Sequence, residues 1–483
     1  MMFTSTLFAS ILPEILILII GMLVLVVEPF WKEEKRRNVG WLTAVGLLVA
    51  MLISLLFGRP GEPISTLGGM VRFDWLGFFF KMLFMFSGAV TAFLLMDNEK
   101  VGHRGEAYLL LLASLLGMNL MAASTDLVML YLSIETASIP LYVLSGFMLA
   151  DDKSTEAGFK YLLFGALTST VMLYGFSLVF GFTGTTNLYQ LGALFGNGNM
   201  ELVTAFGVLA LILVGIGFKV SIVPLHFWAP DVYEGAPTPV AGFLSTASKA
   251  AGFAVLVRLF MVAFPDFAVS WTAILAVLSA ITMTVGNLLA LPQTNIKRLL
   301  AFSSIAHAGY VLIGVVALTQ LGIASVIFYL AAYILTNLLA FGIAMAFSRV
   351  TGLEDIRDYA GMSRRNPGLA LMMLTAFLSL TGMPPFAGFI AKVVVFAAGI
   401  QASYVWLVVI GIINSVIGMY YYLNVLKYVY LYRMPHEDEE SHPVPLTRAH
   451  AISLAVLAIG VILIGTLFAP WFNWSDAAAR NLF

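Results

Sequence analysis

The chain has 483 residues, 60% of them hydrophobic and only 11% charged, with 25 Lys and Arg against 26 Asp and Glu. A soluble globular protein carries about 25% charged residues, so a cytosolic enzyme, a disordered chain and a nucleic-acid binder are excluded, and a polytopic membrane protein remains. Cysteine is absent, which excludes disulfides, iron–sulfur clusters, thiolate metal sites and cysteine nucleophiles.

A spanning helix needs about 20 apolar residues. Hydropathy predicts fourteen, at 9–30, 39–57, 75–96, 107–123, 126–149, 158–182, 202–228, 239–263, 271–291, 297–319, 323–348, 368–398, 403–430 and 450–473. The expected fold is all-α. The first segment is not a signal peptide, because it lacks a basic start and carries Glu14 and Glu28. Counting loops alternately puts 17 Lys and Arg on one side. The other side has Arg59, Arg72, Arg258 and Arg480, while Lys81, Lys219, Lys249 and Lys392 lie inside helices. By the positive-inside rule both termini are expected outside the cytoplasm and the loop Trp31–Arg37 within it.

Segments 202–228 and 368–398 are too long for one straight span, at about 40 and 46 Å against a hydrocarbon core of about 30 Å. Both contain breakers: Gly215, Gly217 and Pro224 in one, Gly382, Pro384, Pro385 and Gly388 in the other. Non-helical backbone at membrane depth survives only inside protein or along a wet cavity, and two such helices point to an inverted-repeat transporter. Lys219 and Lys392 are 173 residues apart, Glu135 and His307 172 apart. The expected organisation is three N-terminal helices (1–106), a first five-helix repeat (107–263), a second inverted repeat (271–430) and a last helix (450–473).

Ionisable residues inside a membrane are costly and are candidates for function. Glu135 sits in the fifth helix with Tyr131 and Ser138 on its face. Lys249 lies in the eighth helix one turn after Ser245 and Thr246. His307 shares a face with Ser303 and Tyr310. Tyr329, Tyr333, Thr336 and Asn337 line the eleventh helix, and Asn414 and Tyr421 the thirteenth. Lys81 fits a lysine that snorkels from near a helix end, Glu14 and Glu28 fit interfacial carboxylates, and Asp126 fits an N-cap. A buried lysine near a carboxylate can take and give a proton. Glu135, Lys219, Lys249, His307 and Lys392 therefore read as a proton relay. No metal-ligand pattern or dinucleotide loop is present, so the chain is expected to bind no cofactor of its own.

The stretches GFKVSIVPLHFWAPDVYEGAPTPV (217–240), NLLALPQTNIKRLLAFSSIAHAGY (287–310) and GMPPFAGFIAK (382–392) resemble the antiporter-like membrane subunits of proton-pumping complex I, NADH:quinone oxidoreductase. Asp231–Pro237 and Asn295–Leu300 resemble the subunit N branch. The resemblance implies that Glu135 pairs with Lys219, that Lys249 is the central relay and that Lys392 is the exit-side group. It also implies that NADH, FMN, iron–sulfur clusters and quinone sit on other subunits. The partners would be complex I membrane subunits, antiporter-like paralogues among them, in the bilayer of a bacterial inner membrane. A subunit of a multi-subunit Na⁺/H⁺ antiporter or membrane-bound hydrogenase, and a non-pumping scaffold, stay open as alternatives. Genome neighbours would separate the first of these. A scaffold would tolerate replacement of the buried lysines.

Overall fold

The computed structural model describes residues 5–32, 36–98, 100–195, 202–433, 444–480 and 482. The acidic stretch 437–440, the centre of the loop 31–37 and the end of the loop 183–200 lie outside the described residues. Thirteen helices among those described are long and apolar enough to cross a membrane. They are α1 Leu12–Phe30, α2 Asn38–Phe57, α3 Trp75–Leu95, α4 Gly105–Ala123, α5 Leu127–Ser145, α6 Asp152–Thr183, α7a Val203–Val220, α8 Thr238–Ala263, α9 Pro265–Ala290, α10 Ile296–Val316, α11 Gln320–Thr351, α13 Val405–Leu431 and α14 Arg448–Thr466. Two shorter apolar helices, α12a Pro367–Thr381 and α12b Ala387–Gln401, make up the remaining span. The chain is an all-α polytopic membrane protein.

Helix starts are fixed by short polar side chains that accept from otherwise orphaned backbone amides. Asp74 accepts from Gly77 N, Asp126 from Val128 and Met129 N, and Asn295 from Lys297 and Arg298 N. The expected cap at Asp126 is thus present. Three stops, Gly184 (φ 70°), Gly352 (φ 71°) and Gly382 (φ 88°), use left-handed glycines.

Both expected breaks exist. α7a ends at Val220, and after a turn the short helix α7b Trp228–Gly235 begins. The break between α12a and α12b covers Gly382–Phe386. Lys219 precedes its break and Lys392 follows its own, so the 173-residue offset that pairs the lysines does not carry one break onto the other. Two further features depart from expectation. α8 contains a π-type turn at Leu244–Ser248, immediately before Lys249. The last helix does not run to 473: α14 stops at Thr466, and a separate amphipathic helix, α15 Phe468–Arg480, follows.

Contacts between loops sort them into two faces. On the face holding the first residues, Ser10 meets Thr66, Asn187 and Thr125 donate to Gly69 O, and Gln320 donates to Asp476 beyond α14. On the other, Asp97 gathers Arg37, Arg349, Thr447 and His450, while Asp231 and Glu234 gather Lys153, Lys160 and Arg298. Each of these links joins loops of the same parity, as a fourteen-span path requires. A fully buried pair, Arg258 with Asp74 (2.7 and 2.8 Å), ties α8 to the start of α3.

α8 and α10 are buried along their apolar windows and α11 nearly so, whereas α1, α2 and α13 present most of theirs outward. The polar side chains concentrate on the buried helices. Small residues allow this packing without a hydrophobic drive between helices: a Cβ on Gly286 of α9 would fall 2.6 Å from Ala306 N of α10.

Candidate functional site

Lys219 occupies the last turn of α7a and is buried. Its Nζ donates to Ser138 Oγ of α5 at 2.8 Å. The expected direct pairing with Glu135 is not seen. Glu135 lies one turn before Ser138, half-buried, with its Oε1 unpaired. Ser138 is thus the group that joins the α5 carboxylate's face to the lysine. The Lys219 stem packs on α8 where Gly252 leaves room: a Cβ there would meet Lys219 Cγ at 3.2 Å. Gly252 is one turn from Lys249.

Lys249 follows the π-type turn, which displaces the helical register and is a frequent feature of functional sites. Its Nζ donates to Ser304 Oγ of α10 (2.7 Å) and lies 5.8 Å from the Tyr233 ring centre on α7b. One turn along α10, His307 has Nδ1 2.8 Å from Tyr329 Oη and Nε2 3.2 Å from Tyr422 Oη. Tyr422 also bonds Ser303. A further turn on, Tyr310 carries the Lys392 ammonium 4.9 Å from its ring centre. Ser304 to Tyr310 is six residues, about 9 Å of helix rise, and α10 thereby spans from Lys249 to Lys392.

Lys392 uses its break. Carbonyls at the end of α12a lose their intrahelical donors, and Nζ bonds Leu380 O (3.1 Å) and Thr381 O (2.8 Å). In the other break, Trp228 Nε1 of α7b donates to Phe218 O of α7a (3.1 Å). An amide cluster closes the far side: Tyr421 donates to Asn287 Oδ1 (3.0 Å), and Asn287 Nδ2 reaches Tyr310 Oη (3.2 Å) and Asn414 Oδ1 (3.3 Å); beside Lys249, Asn337 Nδ2 donates to Ser245 Oγ (2.7 Å).

Four of the five expected site residues, Lys219, Lys249, His307 and Lys392, are buried, and α10 brings the last three onto one line. The faces expected around Ser245, Tyr310, Tyr329, Asn337, Asn414 and Tyr421 take part. Ser304, Tyr422, Tyr233 and Asn287 were not singled out from the sequence; serine at a lysine's reach has no signature in an apolar helix. The expectation for Lys81 is also overturned: it does not snorkel but is buried, with its Nζ 2.8 Å from Oε1 of the likewise buried Glu14.

Residues 124–418, which hold all five expected site residues, match the family model described as NADH:quinone oxidoreductase/Mrp antiporter, TM. Subunit N of NADH-quinone oxidoreductase from Moorella thermoacetica is 42% identical over 472 residues, 97% of this chain and 98% of that protein. The chain belongs to the subunit N family of NADH-quinone oxidoreductases. The subunit N of Trichlorobacter lovleyi is 40% identical and covers 97% of this chain and 96% of its own length. Among solved structures, a chain of respiratory complex I from Thermus thermophilus is 32% identical with TM-score 0.79, covering 95% of this chain and 98% of that one. A chain of the archaeal membrane-bound sulfane sulfur reductase is 26% identical with TM-score 0.85, over 98% of this chain and 97% of that chain. A chain of the Mrp complex from Dietzia, 20% identical with TM-score 0.83 over 99% and 98%, shares the fold.

Proposed function

We propose that this subunit N family member translocates protons across a bacterial inner membrane as part of an NADH:quinone oxidoreductase, with quinone reduction on other subunits as the driver. The relay runs Glu135, Lys219, Lys249, His307, Lys392, between two antiporter-like repeats at 107–263 and 271–430. NADH, FMN, iron–sulfur clusters and quinone belong to neighbouring subunits, and other antiporter-like chains adjoin it. One observation carries the reading: α10 sets Ser304, His307 and Tyr310 on successive turns between Lys249 and Lys392. Lysine and histidine exchange protons, and the hydroxyls beside them both donate and accept.

Sodium transport is the second reading, favoured by the Mrp antiporter named in the family model's description. The chemistry of the centre opposes it. A sodium ion needs a cage of oxygen ligands, and here the line along α10 is held by two lysines and a histidine, with Lys219 as a third buried lysine nearby.

The test is proton uptake and quinone reduction in membrane vesicles, with assembly followed on native gels. Lys219→Ala is expected to cut coupled uptake by about tenfold or more, the effect of about 1.4 kcal/mol on a barrier, in an assembled complex. Glu135→Ala should act in the same direction, and Glu135→Asp more mildly. Lys219→Arg should stay impaired, because guanidinium does not release its proton. Wild-type uptake in both Lys219→Ala and Glu135→Ala would remove the relay and favour a scaffold. Uptake that follows a sodium gradient would favour the second reading.

A further inference from the structure

Aligned on their breaks, the two interrupted helices pair different residues from those that the lysine spacing suggests. Each break opens on a left-handed residue, Ser221 (φ 61°) and Gly382 (φ 88°), three positions before Pro224 and Pro385. Counted from those prolines, 161 residues apart, Lys392 corresponds to Asp231, each seven residues on. Both reach α10 from the second half of a broken helix. Lys392 Nζ lies 4.9 Å from the Tyr310 ring centre, and Asp231 Oδ1 accepts from Arg298 Nη1 at 2.8 Å. Ser304, which holds Lys249, is midway between Arg298 and Tyr310, six residues from each.

α7b is only eight residues long, too short to persist as a helix on its own, so its neighbours fix where it lies. On its outer side Asp231 and Glu234 are three positions apart and share a face. Each of their carboxylate oxygens has a cation. Arg298 Nη1 serves Asp231 Oδ1 and Glu234 Oε2 (both 2.8 Å), Lys160 serves Asp231 Oδ2 (2.5 Å) and Lys153 serves Glu234 Oε1 (2.8 Å). The two lysines stand on α6, and Arg298 is the α10 member of the set. Tyr233, two residues from Asp231 and so about 200° around the helix, is on the inner side. It is buried, and its ring centre is 5.8 Å from the Lys249 ammonium. One short helix thus joins an ionic contact at the basic face to the central lysine. The Arg298 and Asp231 side chains are 31% and 34% exposed, and an ion pair so placed adds little to stability. What it sets is the position of α7b against α10.

We propose that Asp231 and Arg298 are positioning residues of the relay: their ion pair seats α7b on the start of α10, so that Tyr233 of the one helix and Ser304 of the other close on Lys249 together. Neither residue carries the proton. With the pair broken, α7b keeps its lysines on α6 but loses its seat on α10, and the tyrosine ring and the serine hydroxyl no longer hold the ammonium in one place. The seating of α7b does not depend on the relay. Its effect on translocation rests on the proposed function above.

The experiment takes two readouts from the whole complex in membrane vesicles, with assembly followed on native gels. The first is protons taken up per quinone reduced. Asp231→Asn and Arg298→Gln should each lower that ratio by about twofold or more, the scale of a partly exposed ion pair, in complexes that assemble and melt like wild type. The double variant should be no worse than either single one, because the two residues act as a pair. Asp231→Glu keeps the charge and should restore most of the ratio. The second readout is thiol labelling. The chain has no cysteine, and Val232 is buried on α7b. A membrane-impermeant maleimide should label this subunit in Val232→Cys slowly, and several times faster once Asp231→Asn or Arg298→Gln is added. Wild-type uptake in Lys219→Ala would remove the relay and not the seating, which the labelling then reads alone. An unchanged labelling rate in both neutral variants overturns the proposal. So does faster labelling with an unchanged ratio in Asp231→Asn and Arg298→Gln while Lys219→Ala is impaired, which marks a structural contact only. Should neither neutral variant assemble, the pair is structural and the proposal falls.

Discussion

Lys219 holds its ammonium on Ser138 rather than on Glu135, one turn away on the same helix. The Ser138 hydroxyl accepts one hydrogen bond from the lysine and donates its own to Ile134 O at 2.6 Å, so it anchors the ammonium without neutralising it. Ser138→Ala removes this acceptor. A charged donor that loses its buried partner costs about 1–3 kcal/mol, and the shortest recovery is for the lysine to swing onto Glu135. The expected outcome is an assembled complex with reduced proton uptake, less reduced than in Lys219→Ala, measured in the same vesicles. Lys219, Lys249, Lys392 and His307 were legible in the sequence because charge in an apolar segment is conspicuous. Ser304 and Tyr422 were not, since a hydroxyl can bond its own helix and so lie anywhere in one. Lys81 was misread for a different reason. Its place near a helix end suggested access to water, but the first turn of α1 covers it, and only packing reveals that.

The two broken helices illustrate what an element contributes. Gly382 ends α12a at φ 88°, and a Cβ there would meet Lys392 Cδ at 2.8 Å. The glycine therefore permits the turn and leaves the corridor through which the lysine reaches the carbonyls. Gly382→Ala should destabilise by about 1–2 kcal/mol from the left-handed backbone alone and push Lys392 off Leu380 and Thr381. Assembly on native gels and proton uptake should both fall. Gly368→Ala, near the other end of α12a with nothing within 4 Å of the added carbon, should do neither. The breaks themselves were legible, because proline and glycine in an overlong apolar run are strong punctuation. The π-type turn before Lys249 was not, since nothing in Leu244–Ser248 distinguishes it from ordinary helix. The end of the last span was misjudged because Phe468, Trp471 and Phe472 are apolar, although together they make one side of an amphipathic helix rather than a membrane core.

At the scale of the whole molecule, loops of one parity bond only with each other in the contacts described, and the basic ones share a face. We expect tags at both termini to report from outside the cytoplasm and a tag in the loop 31–37 from inside; a cytoplasmic C-terminus would sink the fourteen-span path. The basic face should also set the acid limit. Burial works to raise the Asp97 carboxyl, but hydrogen bonds from His450 and Thr447 and the charges of His450 and Arg349 overcome it and hold it below its ordinary range. Asp231 and Glu234 are likewise lowered: burial opposes, and the bonds and charges of Lys160 and Arg298 for one, Lys153 and Arg298 for the other, prevail. A carboxyl lowered in the folded state gives stability that is complete above its unfolded value and lost as pH falls through the folded one. Thermal stability of the purified complex should hold down to about pH 4 and decline below it. Asp97→Asn should lower stability at neutral pH and weaken that decline.

The middle of the proposed relay has a hydroxyl on each side of its histidine. Tyr329 and Tyr422 hydroxyls flank both ring nitrogens of His307, and each hydroxyl serves either tautomer by rotating. On the proposed reading, such a stretch is a wire and not a rectifier: it conducts in whichever sense the gradient dictates. Rectification must then be imposed at its terminals, where Lys219 meets a fixed serine and Lys392 the fixed carbonyls of a helix end, and where adjoining subunits can open or close the circuit.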